Sequence, residues 1–259
     1  MIINADDFGL TDGVCRAIVE LIDTGAVSST TLMLAAEGSM ARCRDWQIYN
    51  RAERVGVHLQ LTSGRPLSPT SLVPTLVRSG GEFKNRTELA SVSIDEVERE
   101  WRAQIDMSAD LLGRLPTHLD SHHGVHHLEQ FSSLFARLAI EKDVPVRDRT
   151  AMLLLGAPDV LTGSDVVLYD WTAKGLNAKK LEEQLGVEFN ASRASDVIEV
   201  VTHPGYSDER LRAISALNDL RDIDRSALAE FSNSDWLAKH GARLVSFGEV
   251  GHRRGGPDG

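Results

Sequence analysis

Cysteine is almost missing from this chain. Its 259 residues include only Cys15 and Cys43, too few for a disulfide framework or a Cys-rich zinc site. A reducing compartment is the default, and a cytoplasmic protein is expected. Positive charge is also scarce. Lys and Arg total 28 against 38 Asp and Glu, a formal charge of −10. That balance argues against a nucleic-acid binder, which needs a basic surface, and against a polybasic membrane module. No apolar run approaches the roughly 18 residues that cross a bilayer, so no membrane span is expected. No basic segment followed by an apolar stretch opens the chain, so no signal peptide is expected either. The HExxH, GxSxG, GxGxxG, Walker A and CxxC patterns are absent, which weakens zincin, serine-hydrolase, dinucleotide and P-loop readings.

What remains is a globular composition, 42% hydrophobic and 25% charged, with alternating strand-like and helix-like segments. Apolar runs at 2–5, 27–36, 55–61, 117–121, 144–147, 166–169, 197–202 and 243–247 read as strands. Helical spacing covers 11–25, 38–49, 127–142, 179–185 and 210–237. A further helix follows a capping box at Ser93-Ile94-Asp95-Glu96, with Val97, Trp101, Ile105 and Leu112 as its apolar stripe. Residues 62–86 read as a long loop. About seven βα units predict a mostly parallel sheet covered by helices, an irregular, TIM-barrel-like (β/α) barrel within the α/β class. One domain is expected over 1–250, with a frayed tail at 251–259.

In such folds functional groups gather where strands end. Asn4-Ala5-Asp6-Asp7-Phe8-Gly9 leaves the first strand. At a turn both carboxylates can reach one pocket, one to hold a metal and one to accept a proton, although Asp before a helix also serves as a cap. In Gly56-Val57-His58-Leu59-Gln60, alternation sets His58 on the face opposite the apolar residues, as a ligand or a hydrogen-bonded core histidine. The stretch Thr117-His118-Leu119-Asp120-Ser121-His122-His123-Gly124-Val125-His126-His127 holds five of the nine histidines. Period two groups His118, Asp120 and His122. Imidazole is the commonest metal ligand, and a neighbouring carboxylate can fix its tautomer. In Thr202-His203-Pro204-Gly205, a turn follows His203 and aims it at the mouth of the fold, unless it is only a solvated turn residue. Asp7, His58 and His122 together would supply two nitrogens and one oxygen and leave coordination positions open, as catalytic sites require.

At these residues the sequence resembles the YdjC/ChbG/HpnK family of carbohydrate deacetylases. The markers are Asn4-Ala5-Asp6-Asp7-Phe8-Gly9, Val27-Ser28-Ser29-Thr30-Thr31, Gly56-Val57-His58, Thr117-His118-Leu119-Asp120-Ser121-His122-His123 and His203-Pro204, in matching order along nearly the whole chain. The resemblance implies a distorted (β/α) barrel, one divalent cation, and hydrolytic removal of acetyl groups from N-acetylated sugars such as chito-oligosaccharides. By position it implies Asp7, His58 and His122 as metal ligands and Asp6 as general base. It implies His203 as proton donor or oxyanion partner, and Arg147 near the pocket. Asn4, His118 and Asp120 are candidates for touching substrate or backing the ligands. Two His and one Asp suit Zn2+ by ligand softness, while the resemblance points at least as much to Mg2+. Gly124 stands where relatives can show a third consecutive histidine, and 150–195 carries no marker. A metal-dependent phosphoesterase on a related barrel, or a non-catalytic sugar-binding protein, is the competing reading. A homodimer stays open.

Overall fold

A computed structural model of the chain describes residues 1–169 and 177–251; the expected tail beyond Gly251 lies outside them. Six parallel strands form the sheet: β1 (Ile2–Phe8), β2 (Ser29–Leu32), β3 (Val55–Leu59), β4 (Leu119–Ser121), β5 (Val166–Leu168) and β6 (Ile198–Thr202), in the order β4-β3-β2-β1-β6-β5. β1 lies at the centre, with Asn4 opposite Ser29 on one side and Val201 on the other. Its seven residues are all buried, as are those of β2, β3 and β6, the mark of strands covered on both faces.

Val146 curls the sheet toward closure, bridging Leu119 of the edge strand β4 on one side and Gly163, three residues before β5, on the other. The result is an irregular (β/α) barrel. The expected strand at 144–147 is reduced to this bridge. Pro145 brings no N–H to a ladder, and Asp148, at φ 55°, turns the chain into a helix. The expected last strand at 243–247 is also absent. Met1 N donates to Arg243 O and Val245 N to Met1 O, each at 2.9 Å, but no ladder extends this contact, and Glu249 reaches back to Ser246 N at 2.8 Å, starting a helix instead. Val245 and Phe247 are buried beside Ile2, so their alternation reflects a plug under the barrel rather than a strand.

The helices are α1 (Asp12–Asp23), α2 (Ser39–Asp45), α3 (Ile94–Leu112), α4 (Glu129–Lys142), α5 (Arg149–Leu154), α6 (Ala178–Ala191), α7 (Glu209–Ile214), α8 (Asp219–Ser232), α9 (Trp236–Lys239) and α10 (Phe247–Gly251). The single helix expected over 210–237 is therefore three. Thr11 caps α1 as its side chain accepts from Val14 N. The capping box expected at Ser93 does not form, because Glu96 accepts instead from Thr75 N and Oγ1, each at 2.7 Å. Glu100, one turn on, accepts from Leu67 N and Ser68 N. These two carboxylates fasten the long 62–86 excursion onto α3. Trp101 packs edge-on against Phe131 and Phe135 of α4. Among the described residues no helix is long and apolar enough to cross a membrane.

Candidate metal centre

The site is built where β1 ends. Neighbouring strand residues point to opposite faces, yet Asp6 and Asp7 both line one cleft of about 630 Å3. Asp7 sits at φ 71° and the register with β2 shifts between Ala5 and Phe8. Asp enters this left-handed region more readily than most residues, and the twist turns both carboxylates inward.

β3 brings His58 Nε2 to 3.4 Å from Asp7 Oδ1, and the end of β4 brings His122 Nδ1 to 3.3 Å from the same oxygen. The three donor atoms lie within 4.8 Å of one another. Asp7 Oδ1 is buried and has no hydrogen-bond partner. An orphaned carboxylate oxygen facing two imidazole nitrogens is a donor set suited to a divalent cation. The other face of His58 is fixed, with Nδ1 2.7 Å from Asp120 Oδ1, the arrangement that orients a ligating imidazole. Burial alone would push the His58 pKa down, but the carboxylates of Asp120, Asp6 and Asp7 lift it to about 9. The pocket thus asks for positive charge at the place a cation would occupy.

Asp6 is held differently. Arg147 grips it through Nη1 to Oδ2 at 2.8 Å and Nη2 to Oδ1 at 2.7 Å, and Asn4 Nδ2 donates to Oδ1 at 2.7 Å. Burial would raise its pKa, yet the guanidinium overrides it and holds the carboxyl well below the usual range. Asp6 is ionised at neutral pH. Arg147 also pairs with Asp120 Oδ2 and Glu199 Oε1, both at 2.8 Å. Glu199 is pushed by burial up to about 7, against the pull of Arg147 and Ser164.

At the end of β6, His203 places Nε2 3.9 Å from Asp6 Oδ2, and its backbone N donates to Asp224 Oδ2 at 2.9 Å. Burial lowers its pKa against the opposing charges of Asp6 and Asp7, so the ring is neutral near pH 7.

The structure thus brings Asp6, Asp7, His58, His122, Arg147 and His203 to one cleft, with Asn4 and Asp120 directly behind them. His118 does not join. Its ring is fully buried, stacked at 3.8 Å on Phe247, and does not line the cleft. Period two is obeyed along β4, but it sets His118 one layer deeper in the barrel. Gly124, at φ 59°, follows His123 at φ 57° in a double left-handed turn, a conformation that favours glycine there over a third histidine.

Sequence reasoning missed Arg221 of α8, whose Nη2 lies 2.5 Å from Asp7 Oδ2, because no local pattern ties a helix residue to a distant strand. It also missed a second polar group on the cleft wall. His127 Nε2 lies 3.3 Å from Asp148 Oδ2, and Tyr169 donates to the same oxygen at 3.0 Å.

The chain matches the YdjC-like protein family over residues 1–240. It is 35% identical over 241 residues to a carbohydrate deacetylase of Oceanobacillus iheyensis, covering 91% of this chain and 98% of that protein. It is 32% identical over 260 residues to a chitooligosaccharide deacetylase of Proteus mirabilis, covering 96% and 98%. A crystal structure from Enterococcus faecalis, of a protein provisionally assigned to cellobiose-phosphate cleavage, aligns with a TM-score of 0.83 at 28% identity over 96% of this chain and 97% of that one. A peptidoglycan N-acetylglucosamine deacetylase aligns at TM-score 0.53 and 16% identity, over 96% and 86%, and shares the fold. The chain belongs to the YdjC-like protein family.

Proposed function

We propose that this protein is a metal-dependent carbohydrate deacetylase that hydrolyses the acetamide of N-acetylated sugars. The observation that carries the reading is the convergence of Asp7 Oδ1, His58 Nε2 and His122 Nδ1 beside the ionised carboxylate of Asp6, which lies outside the ligand set and is held by Arg147 and Asn4. The names of the curated relatives support the substrate class.

Asp7, His58 and His122 would hold one divalent ion, Mg2+ or Zn2+. Such an ion supplies Lewis acidity toward the attacking water and the amide carbonyl. The chain's own side chains handle the protons. Asp6 accepts the proton of the attacking water, and Arg147 with Asn4 keeps its carboxylate aimed and charged. His203, neutral at rest, takes up that proton across the 3.9 Å gap to Asp6 and delivers it to the leaving amine. Water oxygen bonds to the acetyl carbon, the C–N bond breaks, and acetate and a free amine leave. General acid–base help of this kind contributes about 10²–10⁴-fold.

The phosphoesterase alternative usually calls for a second metal and its own ligands. The other acidic group among the described residues, Asp6–His58–Asp120, shares His58 with the first, and Arg147 engages both its carboxylates. That argues for a single ion.

The test is acetate release from a panel of N-acetyl sugars, beside phosphate release from phosphate monoesters. Acetate release that stops with a chelator and returns with a divalent ion is expected. Phosphate release without acetate release would overturn the reading.

A further inference from the structure

The three converging donors are aimed by different means. Arg221 holds Asp7 by its Oδ2. Asp120 holds His58 from behind, 2.7 Å from Nδ1. His122 has no such charge behind it. Its Nδ1 faces Asp7 Oδ1 at 3.3 Å, and its Nε2 meets no hydrogen-bonding group among the described residues. A ligating imidazole is ordinarily oriented through its second nitrogen, so this ring needs another constraint.

The next residue in the chain supplies one. The ring of His123 lies against that of His122, with centres 3.9 Å apart and planes tilted by 33°. His58 meets the same ring edge-on at 5.3 Å. Successive side chains of an extended strand point to opposite faces. Here the two rings come together because His123 takes the left-handed conformation, φ 57°, with Gly124 following at φ 59°. Histidine enters that region more readily than most residues, but still at a cost. His123 is exposed, so burial does not account for the conformation. Backbone held at such a cost is typical of functional sites.

The His123 ring is fixed in turn. Its Nδ1 lies 2.9 Å from Thr62 Oγ1. Thr62 is buried, at the root of the 62–86 excursion. Beside it, Gln60 donates from Nε2 to Ser63 O at 3.0 Å and accepts from Ala35 N at 2.9 Å. The hydroxyl therefore stands on a braced stretch of backbone.

Resting on the metal-dependent reading above, we infer that Thr62 and His123 are positioning residues for the cation: Thr62 holds the His123 ring, and that ring, stacked on His122, keeps Nδ1 of His122 turned toward Asp7. Neither residue gives an atom to the converging set. Their effect is preorganisation, since a ligand already aimed loses less freedom when the ion binds. The root of the excursion is thereby tied to metal affinity.

The experiment measures Zn2+ affinity of the full chain by competition with a chromophoric chelator. Thr62→Val removes the hydroxyl and keeps the shape. His123→Asn removes the ring and suits the left-handed backbone. Each should weaken Zn2+ binding about 10–100-fold, the usual effect of removing a group that orients a ligand, while the thermal midpoint of the metal-free protein stays the same. Thr62→Ser keeps the hydroxyl and should bind Zn2+ as the wild type does. Wild-type affinity in Thr62→Val and His123→Asn overturns the inference, and so does a loss in Thr62→Ser equal to that in Thr62→Val. Weakened binding that comes with a lowered metal-free midpoint in both variants marks a merely structural role and overturns it too. A wild-type protein that binds neither Zn2+ nor Mg2+ counts against the metal-dependent reading itself. The inference is then judged by metal-free crystal structures: a His122 ring rotated away from Asp7 in His123→Asn upholds it, and an unmoved ring overturns it.

Discussion

Arg221 Nη2 lies 2.5 Å from Asp7 Oδ2, although the two residues are 214 positions apart in the chain. The contact occupies one carboxylate oxygen and leaves the other, Oδ1, facing His58 and His122. Arg221 thus decides which oxygen is free to bind a cation. Four buried carboxylates, Asp6, Asp7, Asp120 and Glu199, share two buried guanidiniums, Arg147 and Arg221. The divalent ion proposed above would add positive charge beside this acidic group.

The ligand set gives the most direct prediction. Asp7→Ala, His58→Ala and His122→Ala should each abolish metal binding and acetate release together. Arg221→Met should leave the ligands in place but loosen their aim, weakening metal affinity about 10–100-fold, the usual effect of removing a group that orients a ligand. Competition with a chromophoric chelator measures both. Full metal affinity in His122→Ala would count against the centre.

Asp120→Asn tests the orientation of His58 from behind. The amide can offer its NH2 or its oxygen to Nδ1, so the tautomer is no longer enforced by charge. Metal affinity should fall by about 10–100-fold while the fold persists. An unchanged affinity by the same competition assay would show that the 2.7 Å contact does not act on the metal.

Asp6→Asn separates proton transfer from metal binding. The metal content should remain, because Asp6 is not among the three converging donors, and turnover should fall about 10²–10⁴-fold. Elemental analysis alongside steady-state kinetics reads the two effects independently. Wild-type turnover in this variant would remove Asp6 as the base.

Glu199 predicts a pH dependence of stability. Its folded pKa, about 7, is above the ordinary 4.5, so between those values the folded state binds more protons than the unfolded state. Its contribution to stability is complete below pH 4.5 and is lost as pH rises through about 7, with a limiting slope of about 1.4 kcal/mol per pH unit. Glu199→Gln should remove that slope. Denaturant midpoints across pH 5–8 for both proteins check it, and parallel curves would contradict the assignment.

Gly56 tests how His118 is accommodated. A Cβ at this position would meet His118 Nδ1 at 2.3 Å and its backbone oxygen at 2.7 Å. Gly56→Ala should destabilise the protein by roughly 1–3 kcal/mol, the range for overfilling a packed interior. An unchanged thermal midpoint would show that the ring and strand can shift aside freely.

Much of this was legible beforehand because it is local. The apolar runs of β1, β3 and β6 and the stripe of α3 depend on period and burial, which neighbours in sequence define. His58 and His122 stood out because polar rings at strand ends need partners. The strand expected at 243–247 failed because burial without a ladder gives the same alternation: Val245 and Phe247 plug the barrel floor. The capping box at Ser93 failed because a distant loop, through Thr75, competes for Glu96. His118 has the right period and the wrong depth, since period says which face a residue occupies but not how far it lies from the barrel mouth.

The sequence by itself determined the alternating order of strands and helices, the strand face on which His58 lies, and the presence of two adjacent carboxylates at the first strand's exit. Only the tertiary structure decided that Asp6 goes to Arg147 and Asp7 to Arg221, and therefore which carboxylate is clamped on both oxygens and which keeps one free. The reason is physical. Charge pairing in a buried site depends on distances of 3 Å between residues more than a hundred positions apart, and those distances exist only once the barrel has closed.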